Sequence, residues 1–91
     1  MEKGGERMEM IHAEKLLPRV QKVETRPGYE LIVTFTNGEK KSYNAAHLLQ
    51  YPAFNGLDKL FPFAQVAFGT VVWPNDMDID PDTLYLKGKP I

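Results

Sequence analysis

One alternating segment, with the turn that follows it, constrains the fold of this chain more than any other feature. Between Tyr29 and Thr36, four strongly apolar side chains occupy every second position: Tyr29, Leu31, Val33 and Phe35. Successive side chains of a strand point to opposite faces of a sheet, so this segment predicts a β-strand with one apolar face. Asn37 and Gly38 follow directly, and an Asn-Gly pair beside such a strand indicates a β-hairpin.

The register of this hairpin depends on the length of its loop. A two-residue loop would place Tyr43 opposite Ile32, on the mixed face of the strand. A three-residue loop with Gly38 in the left-handed conformation places Tyr43 opposite Leu31 instead. We prefer the second register because it puts Tyr43 with the apolar side chains.

Three further segments predict strands from their β-branched residues: residues 18–26, 64–68 and 70–73. The first has Val20 and Val23 three positions apart, which strict alternation does not allow, so we expect a bulge near Lys22. Gly69 lies between the other two segments, where it suits a tight turn or a bulge.

Two short helices are predicted between the hairpin and the later strands. The first covers residues 45–51, begins after Asn44 as its N-cap, and turns Leu48 and Leu49 inward. The second begins near Leu57 and is stopped by the proline that follows it.

These elements together predict an α+β fold, a small antiparallel sheet of about four to five strands in hairpins with two short helices packed on one face. We place a flexible N-terminal tail at residues 1–15, a single domain at 16–86 and a short C-terminal tail at 87–91. A chain of 91 residues buries only about 60 to 65 % of its unfolded surface. We therefore expect marginal stability and a contribution from dimerisation or complex formation.

Composition and motifs exclude several classes of function. The chain has no cysteine, which excludes disulfides, thiolate zinc sites and thiol nucleophiles and fits a reducing compartment. The sequence has no nucleotide-binding loop, hydrolase elbow or zinc-protease motif, and no apolar run of the roughly 18 residues that span a bilayer. We therefore predict a cytoplasmic protein that is not an enzyme, with no catalytic residue, cofactor or metal and no membrane contact.

Charge is distributed unevenly along the chain. No Lys or Arg lies between Lys59 and Lys87. Four aspartates lie in this interval at every second position: Asp76, Asp78, Asp80 and Asp82. An extended backbone would point these carboxylates to one side and Met77 and Ile79 to the other, which predicts a half-buried strand or arm.

The aspartates have two interpretations. Asp80 before Pro81 is a good N-cap with proline at the first helical position, so a helical turn follows and places Leu84 and Tyr85 on the core. The alternative is a cation site, since calcium takes several carboxylate oxygens from a short loop. The calcium-loop pattern fails here because it needs Gly at Pro81 and Glu at Lys87.

Trp73, the single tryptophan, is a candidate for contact with a partner if its side chain is exposed, because Trp is common at binding hot spots. Burial as an anchor of the sheet is the favoured alternative. Our candidate partner-binding residues are Trp73, Asp76, Asp78 and Asp82. Neither His12 nor His47 has the companion ligands that a metal site requires, so we assign them no chemistry.

The order of these pieces resembles the family named domain of unknown function 2442, over about residues 16–86. The residues that carry the resemblance are Tyr29-Glu30-Leu31, Asn37-Gly38, Tyr43-Asn44, Leu48-Leu49 and, most specifically, Val72-Trp73-Pro74 with Asp82-x-Leu84-Tyr85. The family often has Asp where this chain has Asn44, and either residue serves as an N-cap.

The resemblance implies a small bacterial α+β domain without established catalytic residues. Many relatives are encoded beside a second small protein, of domain of unknown function 4160, in an arrangement similar to toxin and antitoxin pairs. Some relatives carry a helix-turn-helix domain after this one. This chain stops six residues after Tyr85, so we expect no nucleic-acid partner without an additional domain.

Two hypotheses follow. The leading one is a protein-interaction or regulatory module similar to an antitoxin, whose partner is a small protein encoded nearby or a second copy of the chain. The alternative is a regulatory domain that binds a small ligand or a cation through the arm from Asp76 to Asp82.

Overall fold

The predicted hairpin lies in the middle of the first sheet. The computed structural model describes residues 17–91, so the tail predicted at 1–15 lies outside the described residues. Strands β2 (Glu30–Phe35) and β3 (Lys40–Asn44) form the hairpin. Leu31 pairs with Tyr43 and Gly38 has φ of 89°, so the three-residue loop is confirmed.

Strand β1 (Val20–Arg26) pairs with the other side of β2. Its register shifts between Val20 and Lys22, which confirms the predicted bulge. The extra residue lets Val20 and Val23 both face the core.

Residues 87–91 correct the prediction of a short tail. Within them, β7 (Lys89–Pro90) pairs with β3, with Lys89 opposite Ser42, and completes a sheet of order β1-β2-β3-β7. The N–H of Ile91 also donates to the carbonyl oxygen of Lys40 at 3.2 Å. Without β7, the backbone N–H and C=O groups at the edge of β3 would be unpaired. Residues 89–91 form hydrogen bonds with this edge.

A second sheet corrects the prediction of a single sheet. Strands β4 (Gln65–Ala67), β5 (Thr70–Trp73) and β6 (Met77–Ile79) form a separate antiparallel sheet. The apolar faces of both sheets contribute to one buried cluster. The helices are too short to cover the face of β2, and an antiparallel sheet with one apolar face has to be covered. The coarser class, a mixed α+β fold with antiparallel sheets, is confirmed.

The first predicted helix is a 3₁₀ helix, Ala46–Gln50. Leu48 is buried as predicted, but Leu49 is 40 % exposed, so the prediction that both turn inward is wrong. With three residues per turn, Leu48 lies above buried Ala45 and its neighbour turns away. Two further 3₁₀ turns follow at Pro52–Phe54 and Phe61–Phe63.

Two α-helices complete the described fold. Helix α1 (Leu57–Leu60) begins where it was predicted, and α2 (Pro81–Lys87) follows β6. None of the helices within residues 17–91 is long and apolar enough to cross a membrane.

Helix α2 is held at both its start and its middle. The Asp80 carboxylate accepts the N–H of Asp82 at 3.0 Å, which confirms the predicted N-cap. Leu84 is fully buried and the Tyr85 ring packs edge-on against Phe35 with centroids 5.1 Å apart. The Lys41 ammonium donates to the Tyr85 carbonyl oxygen at 2.5 Å, which ties α2 to β3.

Replacement of the capping residue tests this account of α2. We expect Asp80→Ala to lower the free energy of unfolding by about 1 kcal/mol, because the N–H of Asp82 loses its acceptor. Asp78→Ala removes the same charge from an exposed position of β6 and should change stability by less than about 0.5 kcal/mol. Denaturant unfolding of both variants measures the difference, and equal effects would contradict the cap.

Candidate functional site

The four aspartates are exposed and the apolar side chains between them are buried, as the alternation predicted, but only Asp78 lies in strand β6. Asp76, Asp78, Asp80 and Asp82 are exposed, whereas Met77 and Ile79 are buried. The strand is three residues long, and same-face positions of a strand lie roughly 6 to 7 Å apart. Asp76 precedes the strand in a turn with φ of 63°, and Asp80 and Asp82 follow it at the start of α2. The extended arm that was predicted over all four aspartates is therefore confirmed only around Asp78.

Three of the four predicted site residues, Trp73, Asp76 and Asp78, line one cleft, and the fourth does not. Asp76 and Asp78 line a shallow cleft of about 300 Å³ together with Phe68 and Val72. Val72 and Asp78 are direct cross-strand partners, so their side chains are neighbours on the same face. Asp82 lies in the first turn of α2 and does not line this cleft.

Trp73 does not have the exposure that contact with a partner would require. Its side chain is 3 % exposed, and its indole N–H donates to the carbonyl oxygen of Phe61 at 3.0 Å. The Phe61 ring stacks on the indole with centroids 6.1 Å apart. Trp73 is an anchor of the core beneath the cleft, and the accessible surface comes from its neighbours.

Phe68 is the aromatic side chain that this surface exposes. It is 97 % exposed and forms, with Gly69, the two-residue turn between Ala67 and Thr70. Both turn residues have positive φ, 55° and 74°, which is typical of a type I′ turn that prefers Asn-Gly. A residue with a side chain costs roughly 1 to 2 kcal/mol in this region.

Tyr29 shows how such strain is normally offset. It also has positive φ, 63°, but its ring packs edge-on against Phe61 with centroids 5.2 Å apart. Its carbonyl oxygen accepts the N–H of Ala45 at 2.8 Å. Phe68 is strained without comparable burial, so folding alone does not explain its presence, and strain of this kind concentrates at functional sites.

Gly69 is fixed by its surroundings as well as by its φ. A Cβ at this position would lie 3.2 Å from Cδ of Arg19, and the carbonyl oxygen of Gly69 accepts the N–H of Val20 at 2.9 Å. The turn is therefore held against the start of β1. Phe68 extends outward from a fixed support, not from a free loop.

Phe68 was not predicted to be a site residue, although the glycine that follows it indicates a turn. Gly69 was predicted to lie in a tight turn or a bulge, and both common two-residue hairpin turns have positive φ at their first position, which here is Phe68. Phe68 was included in a strand because apolar residues in a small domain are usually assigned to the core.

The cation interpretation finds little support in this geometry. Among residues 17–91, no three His, Cys, Asp or Glu side chains come close enough to hold a metal ion. Strand β6 contains a single carboxylate, Asp78, and the Asp80 carboxylate is used as the cap of α2. Calcium requires oxygens that converge from several directions.

The two strained aromatic residues allow a matched test of this interpretation. Phe68→Asn should leave the free energy of unfolding unchanged or raise it by up to about 1 kcal/mol, because Asn tolerates the left-handed region. Tyr29→Asn should lower it by about 2 kcal/mol, because the contact with Phe61 is lost. Denaturant unfolding measures both, and a clear loss of stability for Phe68→Asn would show that Phe68 serves the fold.

The comparisons with known proteins give a family without an assigned activity. A model of the family described as "Protein of unknown function (DUF2442)" matches residues 20–90. This match runs from the first residue of β1 to the last residue of β7, so it includes both sheets. No curated protein and no solved structure matches the chain. The resemblance seen in the sequence is confirmed, and the chain belongs to the DUF2442 family.

Proposed function

We propose that this chain is a non-catalytic protein-interaction or regulatory module, similar to the antitoxin half of a bacterial two-protein system. The observation that supports the proposal most directly is Phe68, which is strained and 97 % exposed. It lines the same cleft as Asp76 and Asp78. We call Phe68, Val72, Asp76 and Asp78 the Phe68 surface.

The free energies of burial and of backbone strain favour insertion of the Phe68 side chain into an apolar pocket of a partner. Transfer of a Phe side chain from water to an apolar pocket contributes roughly 1.5 to 3 kcal/mol. This gain matches or exceeds the strain of roughly 1 to 2 kcal/mol at a left-handed position. An aromatic anchor in the centre of a contact, with polar groups around it, is also the usual arrangement of a binding hot spot.

The charges indicate the chemistry of the partner. The interval between Lys59 and Lys87 contains four aspartates and no Lys or Arg, and two of these residues line the same cleft as Phe68. Such a surface attracts a basic protein and repels an acidic one. We therefore propose a small basic protein with an apolar pocket as the partner, encoded beside this chain as in many relatives.

A symmetric dimer through the same surface is less well supported. In a two-fold interface the same patch occurs on both subunits, so the carboxylates of Asp76 and Asp78 would approach their own copies. Like charges placed together cost several kcal/mol in such a contact. A second copy would have to bind elsewhere.

The composition of the cleft supports a non-catalytic role. Its lining is made by Phe68, Val72, Trp73, Asp76, Met77 and Asp78. None of these is a Ser, Cys, Lys or His, so the lining offers no conventional pair of nucleophile and base. Its two carboxylates are exposed to solvent.

Binding measurements on variants test the proposal. The tagged chain is purified from its native host at moderate salt, the stoichiometric partner is identified by mass spectrometry, and the pure proteins are titrated together. Phe68→Asn should weaken binding at least about 30-fold, the range of a hot spot. The double variant Asp76→Lys and Asp78→Lys should slow association, and wild-type binding should weaken as salt rises.

The control removes an exposed apolar side chain from another surface. Leu86 is 67 % exposed on α2, and Leu86→Gln should bind the partner like the wild type. Melting temperatures of all variants show whether each one is folded. If Phe68→Asn and the charge-reversed variant bind as well as the control, the Phe68 surface is not the interface.

A further inference from the structure

A second cleft, of about 700 Å³, lies where β7 ends against β3, and it shares no lining residue with the Phe68 surface. Strand β7 pairs with Lys41 and Ser42. Within the described part of the chain, Tyr43 and Asn44 have no strand partner on that side. Because β7 has only two residues and stops pairing at Ser42, space remains between the edge of β3 and helix α2.

Helix α2 supplies the second wall of this cleft. Thr83 and Lys87 both line it, and residues four apart lie on the same face of a helix. Lys89 lines it from β7. The two lysines are separated by Gly88, where a Cβ would lie 2.6 Å from the carbonyl oxygen of Leu84. A side chain at position 88 would force the chain away from Leu84 and move the two lysines out of place. Glycine at this position therefore keeps both lysines at the cleft.

The cleft carries more positive than negative charge. It contains Lys87 and Lys89 against a single carboxylate, Glu30, and that carboxylate already accepts the hydroxyl of Ser42 at 2.6 Å. In residues 17–91 the recorded ion pair joins Arg26 to Glu24, so neither lysine of the cleft has a carboxylate partner there.

Tyr43 and His47 add polar groups to the same wall. The Tyr43 hydroxyl lies 3.1 Å from Nε2 of His47. Burial, followed by the nearby Tyr51, raises the pKa of Tyr43 above its ordinary value, so this hydroxyl keeps its proton at neutral pH. The wall therefore contains a hydroxyl and an imidazole, hydrogen-bonded to each other, in the same cleft as the two ammonium groups.

We propose that this cleft binds a small phosphorylated molecule, with its phosphate between Lys87 and Lys89 and its uncharged part against Tyr43 and His47. A lysine acts as a point charge that suits phosphate oxygens, and Lys87 and Lys89 supply two such charges to this cleft. The volume lies within the range of about 300 to 1,000 Å³ for small-molecule sites. The site is independent of the Phe68 surface.

Amide spectra of the ¹⁵N-labelled chain test this inference. Ribose 5-phosphate is the probe and ribose is the matched neutral control, both at constant ionic strength and pH. Ribose 5-phosphate, and inorganic phosphate more weakly, should shift the amides of residues 42–44 and 87–89, whereas ribose should not. Saturation should occur at millimolar concentrations, on the order of 1 to 10 mM.

Variants decide whether the lysines are responsible. Lys87→Gln with Lys89→Gln should weaken the ribose 5-phosphate titration at least about tenfold. The control pair, Lys22→Gln with Lys59→Gln, removes the same charge from β1 and α1 and should titrate like the wild type. The single variants Lys87→Gln and Lys89→Gln replace the double variant if it does not fold.

Three results would overturn the inference. The first is the absence of shifts up to about 10 mM ribose 5-phosphate. The second is an equal response to ribose, which would show that the phosphate is not recognised. The third is equal weakening by the control pair, which would show a general effect of net charge.

Discussion

The structure depends on covering the apolar face of β2. Leu31, Val33 and Phe35 are almost completely buried, and α1 and α2 have four and seven residues, which is too short to cover them. The second sheet supplies the missing layer, with Val71 and Trp73 facing the same buried cluster. Because the inner face of that sheet is used for the core, its turns and outer face remain for contact with other molecules.

The β4–β5 turn contains a feature that the stability of the fold does not require, an exposed Phe at a position with positive φ. A small domain has a net stability of roughly 5 to 15 kcal/mol, so strain of 1 to 2 kcal/mol is tolerable without being negligible. At Tyr29 the strain accompanies packing on Phe61, whereas at Phe68 it accompanies full exposure. The two aspartates that line the same cleft as Phe68 are the basis for proposing a basic partner.

Features fixed by neighbouring residues could be predicted from the sequence, and features fixed by distant contacts could not. The hairpin register follows from Gly38 and the cap of α2 from Asp80, since both are local. Three features depend on contacts between residues that are distant in the sequence. They are the second sheet, the pairing of β7 and the exposure of Leu49. The alternating aspartates were correctly placed in solvent, but Phe68 was missed because it was assigned to the strand that precedes Gly69.

Hydrogen exchange of the chain alone and bound to its partner tests the central claim most directly. In the free chain the amides of residues 68–69 and 75–76 lie in turns and should exchange quickly. Partner binding through the Phe68 surface predicts slowed exchange in these two turns and in β6, with no change at residues 86–90. Protection confined to other segments, with both turns unchanged in the complex, would contradict the account.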